Sequence, residues 1–595
     1  MKFVKLTTIA GLVIASNAQA LEFEAFGSNF LLLNNLSVGA AMRLEDPDPE
    51  LYAISNTNSK GEPGTLYSNN SDDGNLSFEQ GDLISSAIKL TSRLEGGWRN
   101  FGISIRGSGL YDPTLHNKEF FDERDYVGPP TRTQTPADLE RKRDTVQSHV
   151  GLDADLLEAF LSASFEIGDR FLTMRLGKQV INWGETTFIQ HGLNSLISAD
   201  TSQLHVPGWE IEEIYIPSNM LWGSIDITRN LSMRAFYQFE WNETLIDPVG
   251  TFFSTNDFVG RGGTSAELGL GQCEEYSAPG QCVFAPGGTS IPRNPDNRAR
   301  DGDQGGVALS YFLEALGGTE VSVYAANFHS RLPLISGQAT IAGFEGVPGT
   351  ASYFIEYPED IKLYGLSFNT QLPIGGIALQ GEYSLKQDQP LQLDEIELLV
   401  GGLRTPLPSQ VGPFAPGEYL QGWRRHDVSQ YVLSGSKIIG PTSWLGTDQT
   451  VLLLEAAATQ VHSFPDEDEL RYEGPNTVLP ADPLVAGALG TPTQDGGYAE
   501  AFSWGYRALA RMSYNNVFNR YNINPTLVYS HDVRGTAPLP VANFVEDRKQ
   551  VVVRVDAVYQ NNWTMRLAYT NFFGAGVFNQ LGDRDNVALS LSYTF

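Results

Sequence analysis

The sequence has no apolar run long enough to cross a bilayer as an α-helix, which needs about 18 to 20 consecutive apolar residues. Its apolar runs, such as residues 451–454, have the length of strand segments. Lipid cannot satisfy the open edge of a β-sheet, so only helices and closed barrels span membranes. If this chain lies in a membrane, it must therefore be a closed β-barrel.

Cysteine is also scarce, with two residues in the chain of 595. Cys273 and Cys282 lie nine positions apart in a stretch rich in glycine and proline. In an oxidising compartment we expect them to form a disulfide that closes a small loop. A redox-active pair is the alternative, but such pairs favour the closer Cys-x-x-Cys spacing.

Charged residues are 18% of the chain, below the roughly 25% of an average soluble protein. The formal net charge is −30, which argues against a nucleic-acid partner. The eight histidines show no paired zinc spacing, and the chain has no Gly-x-Ser-x-Gly elbow. His531 and Asp532 are adjacent, and neighbours on a strand point to opposite faces. The sequence predicts no enzyme, no metal site and no cofactor.

The N-terminus is typical of a secretion signal. Lys2 and Lys5 precede an apolar stretch at 6–15, and Ala18-Gln19-Ala20 supplies small residues for cleavage. We therefore predict a signal peptide at 1–20 and a single domain at 21–595, located in the outer membrane of a Gram-negative bacterium.

An alternation of apolar and polar residues marks the strands of a transmembrane barrel. In the last ten residues, Val587, Leu589, Leu591, Tyr593 and Phe595 share one face, and small polar residues share the other. We expect Phe595 to be the residue that the barrel-assembly machinery reads. The outward faces would contact membrane lipids and lipopolysaccharide.

The same period predicts an all-β fold, a transmembrane antiparallel β-barrel of about 18 strands, with 16 or 20 as alternatives. Short turns, for example at Gly96-Gly97, alternate with long extracellular loops, some of which could fold into the lumen. Pro525 predicts a bulge or a local break in pairing, and 137–150 predicts a short helix. The predicted strands are 35–44, 85–95, 99–111, 155–167, 170–181, 218–228, 231–242, 305–315, 319–329, 361–372, 375–386, 426–437, 448–460, 501–514, 520–530, 549–560, 562–573 and 586–595.

Several sequence motifs occur along the mature chain. They are residues 73–78 with Gly81-Asp82, 175–180 with Trp183-Gly184-Glu185, 329–333, 357–360, 502–506, 530–533, and 543–546 with Arg548-Lys549. These motifs resemble a proteobacterial family of predicted outer-membrane barrels that is catalogued as a domain of unknown function. The resemblance implies a barrel that accompanies a lipid-carrier-like periplasmic protein and an RND-type (resistance-nodulation-division) exporter. It brings no catalytic residues.

The alternation also predicts which charged side chains line the lumen. Two interpretations are open: a salt-bridge network that rigidifies the wall, or a basic stripe that guides anionic or amphipathic solutes. The predicted inward residues are Arg43, Lys89, Arg93, Arg106, Arg175, Arg234, Lys386, Arg507, Arg511, Arg554, Arg566, Glu158, Glu166, Asp226, Glu240, Glu382, Glu455 and Asp556.

The connection at 182–217 is the candidate plug or gate. Two tryptophans and several apolar residues make it a poor solvated loop, so we expect it to fold into the lumen or over the mouth. An ordinary folded surface loop is the alternative. Its candidate residues are Trp183, Glu185, His191, His205 and Trp209.

These patterns favour a conduit for hydrophobic or amphipathic compounds across the outer membrane. An outer-membrane hydrolase and a surface adhesin or structural barrel are the alternatives.

Overall fold

The wall of the molecule is a closed antiparallel β-barrel. The computed structural model describes residues 21–25, 27–121, 135–283, 285–373 and 375–595. Among them, eighteen strands pair in chain order, and the last pairs with the first. This confirms the predicted eighteen-stranded barrel, and each predicted strand overlaps one observed strand. The predicted signal peptide lies outside the described residues.

The strands of the wall are β1 (Ser28–Arg43), β2 (Ile88–Trp98), β3 (Phe101–Tyr111), β4 (Leu152–Ile167), β5 (Arg170–Gln179), β6 (Ser218–Asp226), β7 (Leu231–Gln238), β8 (Gln304–Leu313), β9 (Thr319–Phe328), β10 (Ile361–Gln371), β11 (Ile377–Gln392), β12 (Trp423–Ile439), β13 (Gln449–Val461), β14 (Phe502–Val517), β15 (Tyr521–Arg534), β16 (Lys549–Tyr559), β17 (Trp563–Phe573) and β18 (Asn586–Thr594).

The seam between β1 and β18 closes the sheet. Asn35 lies opposite Thr594, and the register continues to Arg43 opposite Asn586. Beyond the last strand, the Asn34 N–H donates to the Phe595 carbonyl at 2.7 Å, and the Phe595 N–H donates back at 2.9 Å. Closure leaves no free edge in the wall, which is the condition for a sheet in lipid.

The outer face of the wall is apolar. Leu589 and Leu591 are 46% and 40% exposed, whereas Ser590 between them is 4% exposed. A continuous apolar exterior of this kind is typical of a surface that lipid covers. None of the helices in the described ranges is long and apolar enough to cross a bilayer.

The predicted turn at Gly96-Gly97 is wrong by a few residues. β2 continues to Trp98, and the turn lies at Arg99 and Asn100. The rings of Trp98 and Phe101 stack across the two strands at 6.4 Å, and this pair extends the ladder. Gly96 instead makes room for a ring, since a Cβ there would lie 2.3 Å from Phe30 Cδ1.

Pro525 interrupts one ladder without a bulge. On the β14 side, Arg511 pairs with Thr526 and Tyr514 pairs with Ile523, and the positions between them are unpaired. On the other side, Pro525 pairs with Val555 in unbroken register. Of the two predicted outcomes, the local break in pairing is the one observed.

Nine long connections lie at one end of the barrel and short turns lie at the other. The long connections are 44–87, 112–151, 180–217, 239–303, 329–360, 393–422, 462–501, 535–548 and 574–585. They pack on one another and contain most of the short elements. Within the described residues, the α-helices are Asp73–Leu76, Pro113–His116, Pro136–Val150, Ile211–Ile214, Glu395–Gly402 and Pro483–Leu489.

The predicted helix at 137–150 is Pro136–Val150, capped by Thr135. The remaining short strands are Leu21–Ala25, Leu83–Ser85, Ser198–Ala199, Tyr215–Ile216, Ser265–Glu267, Ser290–Pro292, Leu334–Gln338, Ser352–Glu356 and Tyr419–Leu420. Single 3-10 turns occur at Pro49–Leu51, Leu193–Leu196, Thr201–His205, Glu314–Leu316, Pro348–Thr350 and Gly576–Phe578.

Candidate functional site

The connection at 182–217, called the lumenal segment from here on, folds inside the barrel. Its backbone and side chains contact inward-facing residues of strands on opposite sides of the wall, including β1, β2, β11, β13 and β17. Of the alternatives that the sequence left open, the structure shows the lumenal position and not a surface loop.

Two wall carboxylates hold the first part of the segment. Glu455 accepts hydrogen bonds from the backbone N–H groups of Thr187, Phe188 and Ile189 at 2.7, 2.8 and 2.8 Å. Glu382 accepts from the N–H groups of Glu185 at 2.9 Å and Leu193 at 2.7 Å. Hydrogen bonds to a charged acceptor are worth about 1.5 to 3 kcal/mol each, so these acids are the main polar anchor.

An apolar contact fixes the same part of the segment to another side of the wall. Trp183 is 3% exposed and packs against the rings of Phe236 and Tyr324, with centroids 5.0 and 5.4 Å away. Leu193 lies against Gly365 of β10, where a Cβ would come 2.2 Å from Leu193 Cδ2. A small wall residue is therefore required where the segment docks.

Charged contacts hold the end of the segment to β2 and β3. The Lys89 ammonium pairs with the Glu213 carboxylate, and both side chains are buried. Arg106 lies 3.4 Å from Glu210 and 3.7 Å from Glu212. Wall residues of one sign thus meet segment residues of the other, and a buried pair of this kind is costly to break on one side only.

The other predicted plug residues make contacts through both backbone and side-chain atoms. The His191 carbonyl accepts from the Lys386 ammonium at 2.9 Å, and the Trp209 carbonyl accepts from Arg566 at 3.4 Å. The Glu185 carboxylate accepts from Asn369 at 3.3 Å. His205 stacks on Phe253 of the next long connection at 3.7 Å.

Half of the eighteen predicted inward charges form ion pairs within the described part of the chain. Ion pairs within the wall, or between the wall and the long connections, agree with the predicted salt-bridge network. Ion pairs between the wall and the lumenal segment hold that segment in place. The ion pairs formed by the predicted residues are Arg43–Asp583, Lys89–Glu213, Arg93–Glu95, Arg106–Glu210, Arg106–Glu212, Lys178–Glu240, Arg507–Asp532, Arg554–Asp556 and Arg566–Asp556.

Three predicted lumen-lining arginines form no ion pair within the described ranges: Arg175, Arg234 and Arg511. The Arg175 guanidinium lies 5.1 Å from the ring centres of Phe160 and Trp222. Arg234 donates to the Ser310 hydroxyl at 3.1 Å. Lys386 also forms no ion pair within the described ranges, so four positions of the predicted basic stripe remain without an acidic partner.

Glu240 lies beyond the end of β7, which stops at Gln238. Its carboxylate accepts from the backbone and side chain of Asn219 at 3.0 and 2.8 Å. It is therefore a rim residue, in contrast to its predicted place within a strand.

A chamber lies among the long connections at the end of the barrel where they cluster. Its volume is about 410 Å³, and residues of seven connections line it. Its lining is largely apolar and includes Phe258, Leu268, Ile335, Ile396 and Leu399. Sequence reasoning missed this site, because its residues come together only when loops hundreds of positions apart meet.

A wider opening of about 840 Å³ lies at the end of the barrel with the short turns. The N-terminal hairpin contributes Phe23 and Glu24, and the wall contributes Arg93, Glu158 and Arg175. The barrel therefore has a polar opening at the end with the short turns and an apolar chamber at the end with the long connections.

Three carboxylates approach one another between the long connections. Oxygen atoms of Asp72, Asp73 and Asp257 lie within 4.8 Å of one another. Burial raises the pKa of Asp72 to about 6 and the pKa of Asp257 well above its usual value. The Lys142 ammonium lies 3.1 Å from Asp73 and supplies positive charge to the cluster.

His149, Asp200 and Ser202 resemble a catalytic triad in composition but not in geometry. Arg261 donates to His149 Nδ1 at 2.8 Å, which leaves the proton on Nε2. That nitrogen faces Asp200 at 3.1 Å and Ser202 at 3.2 Å. A general base would need Nε2 free to accept the hydroxyl proton.

The predicted cysteine pair, Cys273 and Cys282, is disulfide-bonded, with its Cα atoms 5.7 Å apart.

The sequence matches one family model, and the structure is similar to several solved β-barrel structures. The family model described as "Protein of unknown function (DUF1302)" matches residues 2–595. No curated protein matches the sequence. Similar solved structures include OccAB3 from Acinetobacter baumannii, with 10% identity over 95% of this chain and 99% of that chain and a TM-score of 0.39.

Two further structures are similar to the same degree. OpdK from Pseudomonas aeruginosa, solved with vanillate, has 8% identity over 95% and 98% of the two chains and a TM-score of 0.39. A BenF-like porin from Pseudomonas fluorescens has 8% identity, the same coverage and a TM-score of 0.40.

Proposed function

The chain belongs to the DUF1302 family, and from the geometry of its barrel we propose that it is an outer-membrane channel for hydrophobic or amphipathic compounds. The observation that carries this proposal is the lumenal segment. It closes a barrel of eighteen strands, a size that leaves room for an aqueous channel when the lumen is free.

The contacts of the segment suit a movable closure. Beside the apolar contact of Trp183 and Leu193, its anchors are hydrogen bonds from its backbone to Glu382 and Glu455 and ion pairs at its far end. Water can replace such bonds when the segment shifts, whereas the hydrogen-bonded wall stays closed on itself. A barrel with only a structural role would not need a separate polypeptide segment docked in this way.

The apolar lining of the chamber supports the substrate class. A compound from outside would meet Phe258, Ile335 and Leu399 before it met the lumenal segment. Pockets that bind small molecules combine a mostly apolar wall with a few polar groups. The lipid-carrier-like periplasmic protein and the RND-type exporter remain proposed partners at the opposite end.

The experiment is conductance in planar bilayers together with solute flux into liposomes. Gln179 and Ser218 lie opposite each other in neighbouring strands, so a short Gly/Ser turn can replace the segment without breaking the wall. The matched control replaces the helix Pro483–Leu489, in which Val485 and Ala486 are the buried residues, with a similar turn. We expect a large rise in conductance and flux for the first variant and none for the control.

Absence of flux for all solutes in both the native and the shortened protein would contradict the proposal. Heat-modifiable migration in gels shows that each variant has folded.

A further inference from the structure

The chamber contains an acidic group that the proposed closure does not use. Glu395 is the first residue of the helix Glu395–Gly402 and lines both the chamber and an adjoining cavity of about 130 Å³. Its carboxylate accepts no hydrogen bond and forms no ion pair within the described part of the chain. A polar group that faces an apolar space without a partner needs a ligand or water to satisfy it.

The other carboxylates on the lining already have donors. Glu473 accepts from the backbone N–H of Glu395 at 2.7 Å and from the Thr477 hydroxyl at 2.9 Å. Glu267 accepts from Tyr276 at 2.9 Å and from Thr289 at 2.7 Å. Glu395 is thus the acid on this surface that is left to contact a bound molecule.

Positive charge does not balance these acids inside the chamber. Among the described lining residues, Arg548 is the basic one. Its guanidinium is already bound to Asp532 at 2.9 Å and to the Asn543 carbonyl at 3.4 Å. The chamber therefore combines an apolar wall with more acidic than basic side chains.

We propose that the chamber binds an amphipathic cation, a molecule with an apolar body and a protonated amine, and that Glu395 is its counter-ion. The apolar body would lie against Ile335, Ile396 and Leu399, which line both cavities. This inference rests on the proposed channel function and specifies its substrate class. The volume of about 410 Å³ falls in the range of small-molecule pockets.

Burial raises the pKa of Glu395 to about 7, because no described group beside the carboxylate offsets the loss of water around its charge. An amine bound beside the carboxylate would favour its ionised form, so binding should release a proton near neutral pH. The titratable and charged groups around it are Asp394, Glu397, Glu473, Arg471, Glu267 and Arg548.

The test uses three ligands with one tail: octylamine, octanol and octanoate. Each is titrated calorimetrically at pH 8 into the full-length protein in zwitterionic nanodiscs, with empty nanodiscs as the blank. We expect octylamine to bind about tenfold more tightly than octanol, with octanoate weakest. The variant Glu395→Gln should remove the preference for the amine and leave the binding of octanol unchanged.

Two further variants sharpen the test. Glu469→Gln removes an exposed acid from a neighbouring connection and should change nothing. Leu399→Trp narrows both cavities and should weaken octylamine and octanol alike, which separates loss of space from loss of charge. Equal affinity for octylamine and octanol, or an unchanged preference in Glu395→Gln, would overturn the inference.

The channel proposal and the chamber inference can be contradicted independently. If the protein with a shortened lumenal segment conducts but octylamine does not bind, the chamber inference is wrong and the channel stands. If octylamine binds with the predicted preference but no variant conducts, the binding site stands and the channel proposal is wrong.

Discussion

Glu455 accepts a hydrogen bond at 2.8 Å from the backbone N–H of Ile189, a residue 266 positions earlier in the chain. Glu455 is fully buried in the wall, and Ile189 belongs to the segment that fills the lumen. The carboxylate recognises the backbone and not the side chain. The position of the segment therefore depends on the wall residue more than on the local sequence of the segment.

Neutralising the two wall acids should loosen the lumenal segment. Glu382→Gln with Glu455→Gln replaces the charged acceptors of five backbone N–H groups by neutral ones. We expect docking to weaken by about 2 to 3 kcal/mol, roughly a hundredfold increase in the open population. Single-channel recording would show this as more frequent or longer openings.

Asp226→Asn is the matched control for this pair, because it neutralises a wall acid for which the structure shows no contact with the lumenal segment. Open probabilities that are the same in the control and in the double variant would show that the two glutamates do not hold the segment.

Adding a methyl group at Gly365 should displace the apolar anchor. The new Cβ in Gly365→Ala would lie 2.2 Å from Leu193 Cδ2, so Leu193 must move. Overpacking of this kind costs about 1 to 3 kcal/mol. Limited proteolysis should cut the lumenal segment faster in the variant.

Leu193→Ala in the same background restores the space, and the double variant should resist proteolysis better than Gly365→Ala alone. Strictly additive effects of the two substitutions would show that the residues do not contact each other.

Buried acids at the chamber should make its helix less stable as the pH rises. Burial raises the pKa of Glu395 to about 7, the pKa of Asp394 to about 8 and the pKa of Glu473 well above its usual value. A raised pKa means that the folded state binds more protons than the unfolded state above about pH 4.5. The protonated acids therefore contribute fully to the stability of the helix below about pH 4.5, and this contribution is lost as the pH rises through 7 to 8.

Hydrogen exchange of the helix Glu395–Gly402, corrected for the intrinsic pH dependence of exchange, measures this effect between pH 5 and pH 8. Arg471 lies 3.7 Å from Asp394, and its positive charge moderates the change. The double variant Glu395→Gln, Glu473→Gln should show a flatter profile. Protection that increases with pH in the native protein would contradict the prediction.

Loss of the aromatic ring of Phe595 should reduce assembly of the barrel in cells more than it reduces the stability of the folded wall. Phe595 stacks on Tyr593 at 5.6 Å, and its backbone bonds to Asn34 do not involve the ring. We expect Phe595→Ala to lower the yield of heat-modifiable barrel in cell envelopes several-fold. Refolding of the purified variant into detergent should remain close to native.

The conservative variant Phe595→Tyr keeps an aromatic terminus and serves as the control. Equal losses in cells and in detergent for Phe595→Ala would assign the ring to wall stability and not to recognition by the assembly machinery.

The sequence predicted the wall well, because each strand is encoded by a local two-residue period. All eighteen strands follow from the alternation, including β17, where Leu567 faces outward and Arg566 inward. The turn at 96–97 was misplaced because a glycine in a strand and a glycine in a turn look alike locally. Gly96 is needed opposite Phe30, which only the paired strand reveals.

The candidate site was predicted in part. The composition of 182–217 indicated a buried segment, but its anchors could not be found from spacing. Glu210 and Glu213 look like ordinary loop acids in the sequence, and they acquire a role only because Arg106 and Lys89 lie across the lumen. No local sequence pattern around Glu395 indicated the chamber.

By itself, the sequence determined the class of fold, the number of strands and which face of each strand meets lipid, since these depend on neighbours one or two positions apart. Only the tertiary structure decided which segment enters the lumen, which acids hold it and where the chamber forms. Those features depend on contacts between distant residues, and the energy of such contacts is set by burial and geometry that no local pattern records.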